Sequence, residues 1–232
     1  MRAYERLLRY AAVWTPSNEE SESTPSSACQ FDLARLLVEE LHSLGIDAEV
    51  DDKCYVYGKI PATAGYEDVP ALGLIAHMDT VSDFCAHAPV PTLHEAYDGT
   101  DLTLRGADGS TRILRVADFP HLANMKGRTL ITSDGTTVLG ADDKAGVAEI
   151  MTFAEELLAS GRPLGEICIG FTPTRRSDGA RTHSTSKNSV RRTPTRWTAD
   201  LRARSNTKTS MPPPPSCTSR ASTSIPAPPR AL

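Results

Sequence analysis

Hydrophobic positions along the first 173 residues switch between a helical period near 3.6 and a strand period near 2. Leu7, Leu8 and Ala11 mark a short first helix. From Phe31 the apolar residues Leu33, Leu36, Leu37, Val38, Leu41 and Leu44 share one helical face, and Gly45 supplies a stop. Val147, Ile150, Met151, Ala154, Leu157 and Leu158 repeat that pattern up to Gly161-Arg162-Pro163. Cys54 to Ile60 alternates as a half-buried strand, whereas Leu72–Ile75 and Ile167–Phe171 read as fully buried ones. A polar loop from Thr15 to Ser27 separates the first two helices. Residues from about Val90 to Thr132 are rich in turns, with short β runs at Leu102–Leu104 and Arg112–Leu114. Strands alternating with helices of this length predict an α/β layered domain with a largely parallel sheet.

Charge divides the chain at Pro173. The whole sequence carries 25 Lys+Arg and 29 Asp+Glu. From Thr174 onward there are 12 basic residues and only Asp178 and Asp200 as acids, a net of +10. The first 173 residues hold 13 basic and 27 acidic residues, a net of −14. The last Glu is Glu166, and Trp197 is the only aromatic beyond Pro173. A segment made of Arg, Ser, Thr and Pro, with Pro212 to Pro215 in a row, buries too little apolar surface to offset its ordering entropy. Residues 174–232 are therefore expected to be a disordered tail, and residues 1–173 the folded domain.

Five scattered cysteines without a C-x-x-C pair argue against a disulfide framework and a zinc–thiolate site, and fit a reducing cytoplasm. No run approaches the length of a membrane span. The chemistry concentrates in two places. His77 follows a short apolar strand and is paired with Asp79, two residues on. Residues two apart on a strand face one side, so Asp79 can hold one imidazole nitrogen and leave the other for a cation. Asp142-Asp143, framed by Gly140 and Gly146, opens the last strong helix. Two acids there stabilise the helix N-terminus and need do nothing more. In a tight strand-to-helix turn, however, a carboxylate can also bridge two divalent ions. Lys144 reads as an ordinary surface lysine. His42, His87, His94, His121 and His183 read as structural.

These stretches resemble the peptidase T family, tripeptide aminopeptidases of a di-zinc clan that also holds carboxypeptidases, dipeptidases and N-acyl-amino-acid deacylases. The resemblance is carried by Tyr4 to Tyr10, Tyr55-Val56-Tyr57, Leu74 to Val81, Thr129 to Gly135, Leu139 to Gly146 and Ile169 to Pro173. It implies the front part of a zinc-exopeptidase-type catalytic domain and a site for two Zn2+. By the same resemblance His77 is a zinc ligand, Asp79 the carboxylate behind it, and Asp142 the bridging ligand followed by a cis peptide bond. Small peptides are the implied substrates, and intact members are expected to dimerise through a lid domain.

After Thr-Pro the family continues Asp-Glu-Glu-Ile-Gly, with the first Glu as general base and the second as a zinc ligand. This chain has Thr174-Arg175-Arg176-Ser177-Asp178 instead, so the base, the remaining ligands and the lid are missing. The genetic code offers an account. Thr174 to Asp178 written ACG AGG AGA TCG GAC, with one G placed in front, reads Asp-Glu-Glu-Ile-Gly. The same shift over Trp197-Thr198 forces an Asp codon, and with allowed neighbours gives Tyr-Thr-Val-Asp-Gly-Gly, similar to the family's next ligand segment. A one-base deletion is thus favoured over a selected basic tail. The tail lacks interleaved aromatics and any recognisable motif, which argues against a nucleic-acid partner. The expected function is a truncated, inactive zinc aminopeptidase. The alternatives are a related dipeptidase or deacylase and a non-catalytic protein with a nucleic-acid-binding tail. Truncation is further expected to leave apolar faces bare on the helices near Phe31–Leu44 and Val147–Leu158, and to leave His77 and Asp142 holding zinc only weakly.

Overall fold

The computed structural model describes residues 1–106 and 108–174. The expected disordered tail lies, from residue 175 on, outside the described residues. Three helices, α1 (Ala3–Ala11), α2 (Gln30–Ser43) and α3 (Ala141–Ser160), accompany a four-stranded sheet. Its strands are β1 (Asp47–Val50), β2 (Val56–Ile60), β3 (Leu72–His77) and β8 (Ile167–Thr172), in the order β1-β2-β8-β3. Between β3 and α3 lie two antiparallel ribbons. One pairs β4 (Thr92–His94) with β7 (Leu130–Thr132), the other β5 (Leu102–Arg105) with β6 (Thr111–Leu114).

The layered α/β class is as expected, but the sheet is not largely parallel. Only β3 and β8 run parallel, while β1–β2 and β2–β8 are antiparallel. For β1 and β2 the reason is local. The carboxylate of Asp51 accepts the N–H groups of Lys53 and Tyr55, closing a tight hairpin, and a tight turn can join only antiparallel strands. Strand β1 escapes the sequence pattern because Asp47-Ala48-Glu49-Val50 alternates with only two apolar residues.

One face of the sheet carries the core. Val56, Phe171 and Ala76 share a row, as do Ile60, Ile167 and Leu72. Ile169 packs on this face with Leu33, Leu37 and Leu41 of α2, Val147 and Met151 of α3, and Tyr10 of α1. Leu33, Leu37 and Leu41 are fully buried, each contributing about 1.5–3 kcal/mol. The face of α2 that was expected to be bare is therefore sealed, and on α3 it is Phe153 and Leu158 that stay partly exposed. The unexpected bare surface is β3, read from the sequence as fully buried. Leu72 is 51% and Ile75 49% exposed, and β3 is the last strand of the sheet among the described residues.

Charges also enter the core. Arg6, only 2% exposed, donates from Nε to Glu40 Oε1 at 2.7 Å and pairs with Glu155 Oε2 at 2.8 Å. Tyr10 Oη donates to Glu40 Oε2 at 2.8 Å, and a further Arg6 N–H reaches Thr152 Oγ1 at 3.0 Å. One buried network thus joins all three helices. Removing one partner strands a buried charge, so Glu40→Ala is expected to lower stability by about 3–5 kcal/mol in urea unfolding. An Arg6→Met/Glu40→Leu double variant should recover most of the loss. A loss below about 1 kcal/mol for Glu40→Ala would show that the network is not what fastens α1.

Candidate metal centre

A parallel β–α–β connection places the carboxyl end of the first strand beside the amino end of the helix, because the helix runs back along the sheet. Here β3 ends at His77, and α3 begins at Ala141 before leading into β8. The three residues singled out from the sequence meet at this junction. His77 Nδ1 lies 3.0 Å from Asp79 Oδ1 and 3.1 Å from the Asp79 carbonyl oxygen. On the other side of the ring, Nε2 lies 3.1 Å from Asp142 Oδ1. Asp79 is buried, whereas the Asp142 side chain is 66% exposed, so the Nε2 side opens to solvent.

The turn into α3 is built by its glycines. Gly140 has φ +72°, and a Cβ there would sit 2.6 Å from Thr80 Cγ2, so the bridging turn approaches the His77 loop only without a side chain. The peptide bond between Asp142 and Asp143 is cis. Asp143 packs against Gly146, where a Cβ would collide with its carboxylate, and Asp143 Oδ2 accepts the His77 N–H at 3.4 Å.

The segment after α1 clamps the His77 loop from behind. Thr15 Oγ1 donates to the Met78 carbonyl at 2.8 Å, and the Thr80 N–H donates to the Thr15 carbonyl at 2.9 Å, one on each side of Asp79. Lys144 joins this clamp and is not the surface residue expected. It is 1% exposed, and Nζ donates to the Val13 carbonyl at 2.5 Å. Burial pushes its pKa down to about 8. The sequence did carry the signal: Lys144 precedes Val147, Ala148 and Met151 at helical spacing, on the buried stripe.

A cleft of about 730 Å³ opens over the site, walled by Ser17, Glu19 and Ser26 of the loop after α1 and floored by His77, Asp79 and Asp142. Thr174 also reaches its wall. The geometry admits a metal ion in part. Two ligands at the usual zinc distances on one tetrahedral ion stand about 3.3 Å apart. The 3.1 Å between His77 Nε2 and Asp142 Oδ1 matches that span. A full set does not follow, since the described residues hold no group of three or more His, Cys, Asp or Glu able to hold a metal ion. No helix among the described residues is long and apolar enough to cross a membrane.

No protein-family model matches the chain. Curated peptidase T sequences are its homologues. The chain is 52% identical over 171 residues to Peptidase T of Desulfitobacterium hafniense, a match covering 73% of this chain and 41% of that protein. It is 47% identical over 171 residues to Peptidase T of Geobacillus kaustophilus, again over 73% and 41%. The chain thus spans about two-fifths of the length of the curated relatives it matches. Among solved structures, aminopeptidase PepT from Bacillus cereus aligns with a TM-score of 0.47 at 21% identity, over 73% of this chain and 35% of that one. A tripeptidase from Staphylococcus aureus aligns with a TM-score of 0.44 at 24% identity, over 73% and 35%.

The electrostatics of His77 can be measured directly. Burial alone would lower its pKa, but hydrogen bonds and charges from Asp79, Asp142 and Asp143 prevail and raise it above the usual 6.5. A folded value above the unfolded one means that this contribution to stability is complete below about pH 6.5 and is lost as pH rises through the folded value. An NMR titration of the His77 ring should give a midpoint above 6.5, falling in Asp79→Asn. A wild-type midpoint at or below 6.5 would refute the arrangement.

Proposed function

We propose that residues 1–173 are the front part of a zinc-dependent aminopeptidase that releases the first residue of tripeptides in the cytoplasm, and that the 232-residue chain is itself catalytically silent. The observation that carries this reading is the His77 ring held between Asp79 and Asp142, in a chain 52% identical over 171 residues to a peptidase T. Zinc in such sites supplies Lewis-acid activation of water and of the scissile carbonyl. His77 and Asp142 are the residues that would hold it. Asp79 accepts a hydrogen bond from Nδ1–H and so fixes the tautomer in which Nε2 carries the lone pair. The Ser17–Ser26 wall lines the space in which a short peptide would lie.

What the chain lacks is the Glu that the family carries after Thr-Pro to take the proton from water. No Glu follows Glu166, yet the chain leaves β8 at Thr172 and runs at Thr174 into the wall of the cleft. Thr174 thus stands at the cleft where a base is needed, and the sequence that starts with it reads Thr-Arg-Arg instead of Asp-Glu-Glu. One missing base after the Pro173 codon accounts for this and for the change of charge beyond it.

Two purified proteins test the proposal, the 232-residue chain and the product of the gene with one base restored. The restored protein should hydrolyse tripeptides in a zinc-dependent way. The chain should fall short by at least the roughly 10²–10⁴-fold that a general base contributes. It should also bind zinc weakly, with His77→Ala and Asp142→Ala each removing what binding remains. Tripeptidase activity of the 232-residue chain equal to that of the restored protein would end the proposal.

A further inference from the structure

Lys144 is the charged member of the buried stripe of α3, in line with Val147, Ala148 and Met151. Among the described residues its ammonium forms no ion pair, and its hydrogen bond goes to the Val13 carbonyl. Val13, Trp14, Cys85, Val138 and Leu139 line a small void around it, together with Thr80. Burying an ammonium without a carboxylate is unfavourable, and an uncharged side chain of the same length would suit such surroundings better. The charge therefore serves something other than packing. What it reaches is the clamp behind the His77 loop. Val13 follows Ala12, the C-cap of α1, so the ammonium meets a carbonyl at the negative end of that helix. Two residues on, Thr15 holds the Met78 carbonyl and the Thr80 N–H, and the Ser17 N–H donates to the Thr80 carbonyl at 2.9 Å. The lysine itself stands in the first turn of α3, two residues after Asp142. It thus links the turn that carries Asp142 to the clamp that holds Asp79. Two other contacts join that turn to the end of β3, Gly140 close to Thr80 and Asp143 with the His77 N–H, and neither includes a residue from Val13 to Ser17.

We propose that Lys144 is a positioning residue for the candidate metal centre. Its ammonium fastens the first turn of α3 to the Val13–Ser17 clamp and so fixes the separation of His77 and Asp142, at some expense of stability. The inference deepens the proposed zinc site and rests on that reading for its metal arm alone. Residues that orient metal ligands without touching the ion typically change affinity by about 10–100-fold. A lysine kept only for the fold would behave differently, because its loss would weaken stability and site together. A lysine kept for position separates the two, since removing its buried charge relieves the fold while it loosens the ligands.

The test compares the 232-residue chain with its Lys144→Met variant, which keeps the length of the side chain and loses the charge. In the metal-free proteins, hydrogen exchange followed by NMR should show the Thr80 and Ser17 amides exchanging about tenfold faster in the variant. The Ile46 amide, bonded to the Leu41 carbonyl away from the clamp, should be unchanged. The midpoint of urea unfolding should stay or rise. In a Zn2+ titration read from the His77 ring signals, the Kd should weaken roughly tenfold or more. Thr15→Val, which cuts the same link at its other end, should weaken zinc alike, and the double variant should add little to either single one. Lys53→Met, exposed in the β1–β2 hairpin, should change nothing. The proposal fails if the Thr80 and Ser17 amides exchange as in wild type, or if a Kd measurable in wild type does not change. It fails equally if the urea midpoint falls and Ile46 exchanges faster too, for Lys144 would then be merely structural. If Zn2+ moves no His77 signal even in wild type, the proposed function falls, and the exchange of Thr80 and Ser17 still decides the role of Lys144.

Discussion

The parallel pairing of β3 with β8 is the constraint from which the rest follows. Parallel neighbours need a crossover, and α3 completes it by running back along the sheet. Its amino end must then arrive where β3 stops. That one topological fact brings Asp142, 65 residues away in sequence, to 3.1 Å from His77. It also directs the positive end of the helix at Asp142 and Asp143, a favourable place for acids. The clamp from Val13 to Ser17 adds precision by holding the loop on both sides of Asp79. Loops alone position side chains poorly. A strand end, a helix start and a hydrogen-bonded strap position them better.

Most of this was legible where the chain obeys a simple period. Helices α2 and α3 announce themselves by leucines and valines at helical spacing, and β8 by an unbroken apolar run. The candidate site residues stood out because a His two residues before an Asp, after an apolar strand, and two acids between glycines are uncommon together. Where the reading failed, a polar residue occupied an apolar position. Lys144, read as a surface residue, begins the buried stripe of α3, and Arg6 and Glu40, on which no expectation was placed, lie on the buried stripes of their helices. Polarity alone argues for the surface. Only a partner across the core, invisible in sequence, makes such burial tolerable. The pairing sense of the sheet was hidden for a different reason. It depends on a hairpin closed by one Asp side chain, not on hydrophobic pattern.

The same structure explains why the site and the bare surface belong together. Among the described residues β3 is the last strand of its sheet, and it ends at His77, the proposed ligand. An uncharged strand half open to solvent is a poor choice for a free edge and a good one for the middle of a wider sheet. The proposed two-ligand site and the reversal of charge at Pro173 share one proposed origin, a reading frame that changes just after β8.

The nucleotide sequence of the gene across the Pro173 codon tests that claim most directly. A single lost base predicts that one added base opens a frame reading Asp-Glu-Glu-Ile-Gly after Pro173, with an Asp codon across the present Trp197-Thr198, and continuing past the present Leu232 codon. A shifted frame that meets a stop codon soon after Pro173, or that spells neither segment, would contradict it.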